Sequence, residues 1–154
     1  MAELRGRLVG PRCRFSSTVE VAYPLRPARP AETVPGAVAA RVVIPEPCLW
    51  DPDSPFVYMG PVELWSAGQR LAEVSVVHPL RVVRLEATEI WVNGRRFPRR
   101  EAPRKRVIAE DWLNLRREGY TVLVAATPEE ATRLEPVARE WGFVVVERAE
   151  AGGG

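Results

Sequence analysis

The segment "YTVLVAATPEEATRLEPVAREWGFVVVE", residues 120–147, determines the fold of the second half of the chain. Two short, continuously apolar runs flank a stretch with helical character, and such runs are typical of parallel strands covered on both faces. Thr127 and Glu130 predict the helix start as the N-cap and third residue of a capping box, and Gly142 predicts its end. Pro136 is expected to kink or split the helix. The segment therefore predicts a right-handed βαβ unit with parallel strands.

The elements just before this unit combine a hairpin with a helix. "EIWVNGRRF", residues 89–97, predicts a compact hairpin, because Asn-Gly is the strongest short-range hairpin signal. Apolar spacing predicts a helix over residues 108–118, with Gly119 as its stop. Within the βαβ unit, one shared core is predicted for four apolar side chains: Val122, Val124, Phe143 and Val145.

The first half of the chain consists of short β-like runs that proline and glycine interrupt. "VELWSAGQRLAEVSV", residues 62–76, predicts a hairpin that turns at residues 66–69. Short strands at regular spacing favour an antiparallel, immunoglobulin-like sandwich. The candidate strands are Leu4–Val9, Ser17–Tyr23, Ala37–Ile44, Phe56–Trp65, Leu71–Val77 and Arg81–Leu85.

These patterns predict a mixed β and α/β chain with two parts. An immunoglobulin-like antiparallel β-sandwich is expected over residues 1–85. A hairpin and a small α/β segment, including the βαβ unit, are expected over residues 86–150, and a flexible tail over residues 151–154.

The stretch "LWDPDSPFVY", residues 49–58, predicts a rigid connection between two apolar anchors. Pro52 and Pro55 fix φ and remove two backbone donors, so neither suits the interior of a sheet. Leu49 and Trp50 are expected to be buried before the turn, and the turn itself is expected to be exposed.

Composition favours a cytoplasmic protein. The net charge of +2 gives no global reason to expect a nucleic-acid partner. The N-terminal residues lack the apolar core of a signal peptide, and no apolar run is long enough to cross a bilayer. The two cysteines, Cys13 and Cys48, are consistent with a reducing compartment, and sequence alone leaves open whether they pair.

The order of these pieces resembles glycoside hydrolase family 2, which contains β-galactosidases, β-glucuronidases and β-mannosidases. Enzymes of that family carry an immunoglobulin-like sandwich immediately before a (β/α)8 catalytic barrel. The resemblance covers residues 37–148, where the βαβ unit takes the place of the first barrel elements. It rests on residues that occur in the family's order: Leu49, Trp50, Pro52, Ser54, Pro55, Tyr58, Arg81, Asn93 and Gly94.

The chain departs from the family where the sugar would bind. "PRREAPRKR", residues 98–106, stands where the first barrel strand and its loop are expected, and that strand is eroded. Leu123 and Ala126 occupy the places of the family's Arg and His. The family's two catalytic carboxylates follow the fourth and seventh barrel strands, and a whole barrel takes about 250 residues. The resemblance therefore implies a truncated fold without the activity, and no catalytic residue is predicted.

Few side chains remain as candidates for binding. His78, the single histidine, is expected to be a structural residue at a strand end. No metal ligand set, cofactor motif or phosphate loop occurs, and the five tryptophans are expected to pack rather than to stack on sugars. The candidate ligand or partner contacts are Glu147, Arg99, Arg100, Arg104, Lys105 and Arg106.

The sequence is compatible with three functions. The first is an accessory or interaction module with a carbohydrate-enzyme heritage, whose open barrel edge is covered by the sandwich itself, by a protein partner or by a second copy. A carbohydrate ligand is left open for this module. The second is one fragment of a split glycosidase that another chain completes. The third is nucleic-acid binding through the basic stretch, residues 95–106, which has seven basic residues and one acid. From residue 86 onward the chain has 12 basic and 12 acidic residues, and this balance of charge disfavours nucleic-acid binding.

Overall fold

A computed structural model describes residues 2–148. Its largest sheet is antiparallel and has four strands in the order β2-β1-β5-β6. A two-stranded sheet, β3-β4, and a three-stranded sheet, β7-β8-β9, accompany it. The strands are β1 (Ala2–Arg12), β2 (Val21–Pro24), β3 (Arg26–Pro27), β4 (Ala40–Arg41), β5 (Val57–Ser66), β6 (Gln69–His78), β7 (Val83–Leu85), β8 (Glu89–Val92) and β9 (Arg95–Pro98).

Both predicted hairpins are confirmed. Strands β5 and β6 join at Ala67 and Gly68, whose φ angles are 49° and 74°. Strands β8 and β9 join at Asn93 and Gly94, with φ angles of 52° and 79°. Positive φ at both central residues matches the right-handed twist of the flanking strands, which explains why these sequences give tight hairpins.

The proline-rich residues 17–47 form less strand than predicted. The predicted strand Ser17–Tyr23 is reduced to β2, and Ala37–Ile44 is reduced to the two residues of β4. A short 3₁₀ helix, Pro30–Glu32, interrupts the region between β3 and β4. Proline cannot donate to a sheet, so a segment with a proline every few residues cannot sustain a ladder.

The single helix predicted over residues 108–118 is wrong. Two short helices, α1 (Arg104–Ile108) and α2 (Trp112–Arg117), occupy this region. Between them Glu110 adopts a φ of 55°, a left-handed conformation that ends the first helix. The predicted stop at Gly119 is confirmed, since this glycine follows α2 with a φ of 86°.

The predicted βαβ unit is confirmed. Strands β10 (Val122–Ala125) and β11 (Val144–Glu147) pair in parallel, and helix α3 (Pro128–Trp141) connects them. The Thr127 hydroxyl accepts a hydrogen bond of 3.1 Å from the Glu130 amide, and Gly142 ends the helix with a φ of 93°. Pro136 does not split the helix, which is continuous through it.

The two faces of β10 and β11 pack against different layers, so the single shared core predicted for this unit is wrong. Val122 and Val124 face the antiparallel strands, whereas Phe143 and Val145 face the helices. Alternation of side chains along a strand explains the separation. The sheet-facing cluster contains Trp50, Val57, Val77, Ile90, Val92, Phe97, Val122 and Val144. The helix-facing cluster contains Ala102, Val107, Leu115, Leu123, Ala125, Ala131, Leu134, Ala138 and Phe143.

A trace of a further parallel strand lies beside β10. Glu101 forms an isolated parallel bridge with Val122. The Val122 amide donates to the Arg100 carbonyl at 3.0 Å, and the Ala102 amide donates to the Val122 carbonyl at 2.9 Å. This is the place where the sequence predicts an eroded first strand, and only one bridge remains there in the described part of the chain.

Trp50 joins the antiparallel sheets to the βαβ unit. It is fully buried, as predicted, and its indole N–H donates to the carbonyl of Arg139 on α3 at 2.7 Å. Leu49 is 53% exposed, so the prediction that it is buried is wrong. The prediction of an exposed turn is wrong for Pro52 and Pro55, which are both buried, whereas Asp53 between them is exposed, as predicted.

The buried turn is explained by contacts that its local sequence does not reveal. Arg116 of α2 donates to the carbonyls of Pro52 at 2.5 Å and Asp53 at 2.9 Å. Asp51 closes the turn from within by accepting from the amides of Asp53 and Ser54, each at 2.8 Å. The turn is therefore an interface with the α/β segment.

The architecture is an immunoglobulin-like antiparallel β-sandwich followed by a small βαβ segment, as the sequence predicts. The division into residues 1–85 and 86–150 stays a prediction; its boundary falls between β7 and β8, which pair with each other. The tail at residues 151–154 lies outside the described residues. No helix in the range 2–148 is long and apolar enough to cross a membrane.

Replacing Trp50 with alanine should destabilise the protein by about 3–5 kcal/mol, because a large buried aromatic is lost from the junction between layers. The measurement is the urea midpoint followed by circular dichroism. Leu49→Ala is the neighbouring control, and its exposed side chain should cost about 0.5 kcal/mol or less. Equal midpoints for Trp50→Ala and Leu49→Ala would contradict the role given to Trp50.

Replacing Thr127 with alanine should cost about 1 kcal/mol, because the Glu130 amide loses its capping acceptor. Thr127→Ser keeps the hydroxyl and should retain most of the stability. Both variants can be compared by thermal unfolding, and a serine variant as unstable as the alanine variant would show that the hydroxyl is not the cause.

Candidate functional site

The carboxyl ends of β10 and β11 open into a cavity of about 540 Å³, named here the mouth cavity. In a barrel of parallel strands this end carries the active site. Three of the predicted contact residues, Arg99, Arg104 and Glu147, meet here. The mouth cavity is lined by Leu85, Arg99, Glu101, Ala102, Arg104, Val124, Val146, Glu147 and Arg148.

The charges around the mouth cavity are largely neutralised within the chain. Arg104 donates to both carboxylate oxygens of Glu130 through its two terminal nitrogens, Nη1 and Nη2, and the Nη2 contact measures 2.6 Å. Arg99 pairs with Glu101 at 3.3 Å and donates to the carbonyl of Glu86 at 2.9 Å. An incoming anion would have to compete with these carboxylates for the arginines.

Glu130 is held firmly in its ionised form. The hydrogen bond from Arg104, followed by one from the Ala126 amide at 3.0 Å, lowers the pKa of this carboxyl to about 2. A carboxyl with so low a pKa is deprotonated at neutral pH and cannot serve as a general acid there. Glu130 therefore has a structural role, linking α1 to the start of α3.

The other predicted contact residues lie away from the mouth cavity. Arg100 lies toward the amino ends of the parallel strands, where it donates to the carbonyl of Glu118. Arg106 binds Glu118 and Asp111, the latter at 2.9 Å. Lys105 belongs to α1 and does not line the cavity.

The basic stretch is engaged in contacts within the molecule. Arg95 pairs with Asp53 at 3.1 Å and Arg96 with Glu89 at 3.5 Å. With Arg99, Arg104 and Arg106, five of its seven basic side chains have a carboxylate partner. A surface already neutralised in this way releases few counterions on binding a phosphate backbone.

Histidine and the aromatic side chains do not add chemistry to the mouth cavity. His78 ends β6, as predicted, where burial and then the charge of Arg139 lower its pKa, so that the imidazole is neutral at pH 7. Trp50 is buried, and none of the described tryptophans lines the cavity. Cys13 and Cys48 are both free. In residues 2–148 no group of three or more His, Cys, Asp or Glu side chains could hold a metal ion.

Sequence reasoning missed two charged lining residues, Glu101 and Arg148. Glu101 belongs to the extended segment beside β10, and the Arg148 amide donates to the Ala125 carbonyl at 2.9 Å. A signal for Arg148 was present, because it directly follows the predicted second parallel strand. No local signal marked Glu101, since its position depends on the single bridge to Val122.

The fold matches solved β-glucuronidases over nearly the whole chain. The β-D-glucuronidase of Dictyoglomus thermophilum superposes with a TM-score of 0.57 at 16% identity, covering 96% of this chain and 25% of that chain. The Ruminococcus gnavus β-glucuronidase gives a TM-score of 0.54 at 15% identity, covering 96% of this chain and 24% of that chain. The Bifidobacterium dentium β-glucuronidase gives a TM-score of 0.53 at 13% identity, covering 96% of this chain and 24% of that chain.

These likenesses show the fold, and at such low identities they show the fold alone. The sequence matches no protein-family model and no curated protein. The chain spans about a quarter of the length of the solved enzymes that it resembles. The predicted sandwich and βαβ architecture is thus confirmed as one that occurs in β-glucuronidases.

Glu130→Gln should destabilise the protein at neutral pH and have a smaller effect in acid. Because the folded-state pKa is lowered, ionised Glu130 stabilises the fold above its unfolded pKa of about 4.3, and this stabilisation is lost as the pH falls toward 2. The unfolding free energies of the wild type and Glu130→Gln should therefore converge over this range in urea titrations.

Glu129→Gln is the matched control, since it removes a neighbouring charge from the same first helical turn. Its destabilisation should be smaller, because Glu129 has no arginine partner among the described ion pairs. A pH dependence of equal size in both variants would mean that the helix end, and not the Arg104 contact, sets the effect.

Proposed function

We propose that this chain is a non-catalytic module related to glycoside hydrolase family 2, acting as an accessory or interaction domain. Two independent observations support the relation. The fold occurs in β-glucuronidases, and the residues of the sandwich from Leu49 to Gly94 follow that family's order. Because the identity is 16% or less in these comparisons, the enzymes' activity does not transfer with the fold.

The chemistry of the mouth cavity carries the proposal. A retaining glycosidase needs two carboxyl groups about 5 Å apart, one an ionised nucleophile and the other a protonated acid. Glu130 is fixed in its ionised form by Arg104, and Glu101 is paired with Arg99. Of the two carboxylates that line the cavity, Glu101 and Glu147, only Glu147 is without an arginine partner among the described ion pairs, and one carboxylate cannot act as nucleophile and acid in the same step.

The unpaired edge of β11 favours a second candidate, one fragment of a split glycoside hydrolase. Within the described residues β11 pairs only with β10, so its outer edge offers backbone groups to another parallel strand. A second chain would supply that strand together with the catalytic carboxylates. In either case the proposed partner is a protein that covers this edge. A cytoplasmic location is proposed with it, to which the two free cysteines are suited.

The purified chain is expected to hydrolyse no aryl β-glucuronide, β-galactoside or β-mannoside. Release of nitrophenol from each substrate should equal that of Glu147→Gln and Glu101→Gln, because neither glutamate has the partner that catalysis requires. Turnover by the wild type that either substitution abolishes would overturn the non-catalytic proposal. Turnover that begins only when the product of a neighbouring reading frame is added would favour the split enzyme.

A further inference from the structure

A second cavity, of about 560 Å³, lies at the opposite end of the parallel strands from the mouth cavity. Its wall includes Gly119, Tyr120 and Thr121, which immediately precede β10, and Gly142, which lies just before β11. We name it the amino-end cleft. No residue lining it also lines the mouth cavity, so the two are separate sites.

Three arginines converge on the amino-end cleft without a carboxylate partner. Arg100, Arg116 and Arg117 all line it, and none of them takes part in an ion pair within residues 2–148. Asp53 is the one acid in the wall, and it is engaged by Arg95 at 3.1 Å. The cleft is therefore a concentration of positive charge in a molecule whose arginines are otherwise mostly paired.

Neutral groups position two of these guanidinium groups. Arg100 donates to the carbonyl of Glu118 and lies over the Tyr120 ring, with its guanidinium carbon 4.6 Å from the ring centroid. Arg116 donates to the carbonyls of Pro52, Asp53 and Trp141. Carbonyl dipoles and ring faces orient a guanidinium but leave its full charge in place.

Burial makes Arg116 receptive to an anion. Desolvation lowers the pKa of this guanidinium, and the nearby negative charges of Asp53 and Asp51 offset only part of that effect. An anion in the cleft would offset more of it, because opposite charges attract more strongly where water is partly excluded. Gly119 lets the Arg100 guanidinium lie close to the backbone, since a Cβ at this residue would lie 2.8 Å from Nη1 of Arg100.

We propose that the amino-end cleft binds a small phosphate-bearing anion, with Arg100 and Arg117 as direct ligands and Arg116 as a fixed charge in the wall. The guanidinium fork matches two phosphate oxygens at once, and a phosphate carries more charge than a single carboxylate. The volume suits a small organic phosphate. Phe15, Phe97 and Tyr120 border the site, and a guanidinium group lies over each of the three rings, so the ligand is recognised through its phosphate.

Isothermal titration of the whole chain with pyrophosphate tests the proposal. Arg117→Gln is the first variant, because Arg117 is exposed and makes no described side-chain hydrogen bond, so the fold should be unaffected. We expect saturable one-to-one binding by the wild type, weakened about tenfold or more by Arg117→Gln. Arg100→Gln should weaken binding likewise, with circular dichroism confirming that it folds.

Arg148→Gln is the matched control, since Arg148 is an arginine of the mouth cavity with no described ion pair. Its affinity for pyrophosphate should lie within about twofold of the wild type. If Arg148→Gln and Arg117→Gln weaken pyrophosphate binding equally, the anion is held by diffuse electrostatic attraction and not by the cleft, and the proposal is overturned. Absence of binding at millimolar pyrophosphate would also overturn it.

A second titration asks whether the phosphate or the ring is recognised. ADP should bind with an affinity similar to that of pyrophosphate, and adenosine should bind far more weakly, because the arginines act on phosphate oxygens. Adenosine binding as tightly as ADP, with no effect of Arg117→Gln, would overturn the proposal. None of these results depends on whether the chain hydrolyses glycosides.

Discussion

The buried indole of Trp50 is the contact on which the arrangement of the layers depends. Its N–H binds the carbonyl of Arg139 in α3 at 2.7 Å, and its own carbonyl accepts from the Asn93 side chain at 2.9 Å. The guanidinium of Arg81 lies 4.2 Å from the indole centroid. One residue therefore contacts the helix, the β8–β9 hairpin and the segment before β7. The family-like order of Trp50, Arg81 and Asn93 in the sequence has a physical basis, because the three meet at this junction.

A second contact fixes the turn that follows Trp50. Arg116 reaches from α2 to the carbonyls of Pro52 and Asp53, and to that of Trp141 at 3.0 Å. Prolines suit this turn because they leave no amide to be buried without a partner. The prolines of this turn are thus buried because the turn packs against the α/β segment. Its carbonyls accept hydrogen bonds from a neighbouring helix, which also holds the turn in place.

The elements predicted correctly from the sequence are those that local chemistry determines. Asn93-Gly94 makes a hairpin and Thr127 caps a helix whatever surrounds them. The errors lie where the local sequence does not determine the backbone conformation. One example is Glu110, whose left-handed conformation divides the helix predicted over residues 108–118. At the candidate site, Arg99 and Arg100 are adjacent yet reach opposite ends of the parallel strands. Their segment is extended beside β10, so successive side chains point to opposite sides of it: Arg99 and Glu101 share one side and line the mouth cavity, whereas Arg100 lies on the other side.

The two cavities differ in the groups that their arginines meet. At the mouth cavity Arg99 and Arg104 meet carboxylates, whereas Arg100 and Arg116 at the amino-end cleft meet carbonyls and rings. The last turn of a helix does favour basic residues through its dipole. Helix α2, however, has only six residues, so this contribution is small. The fold uses Arg116 to hold the turn after Trp50, whereas Arg117 makes no described ion pair or side-chain hydrogen bond, so its charge stays available to a ligand that brings negative charge to the cleft.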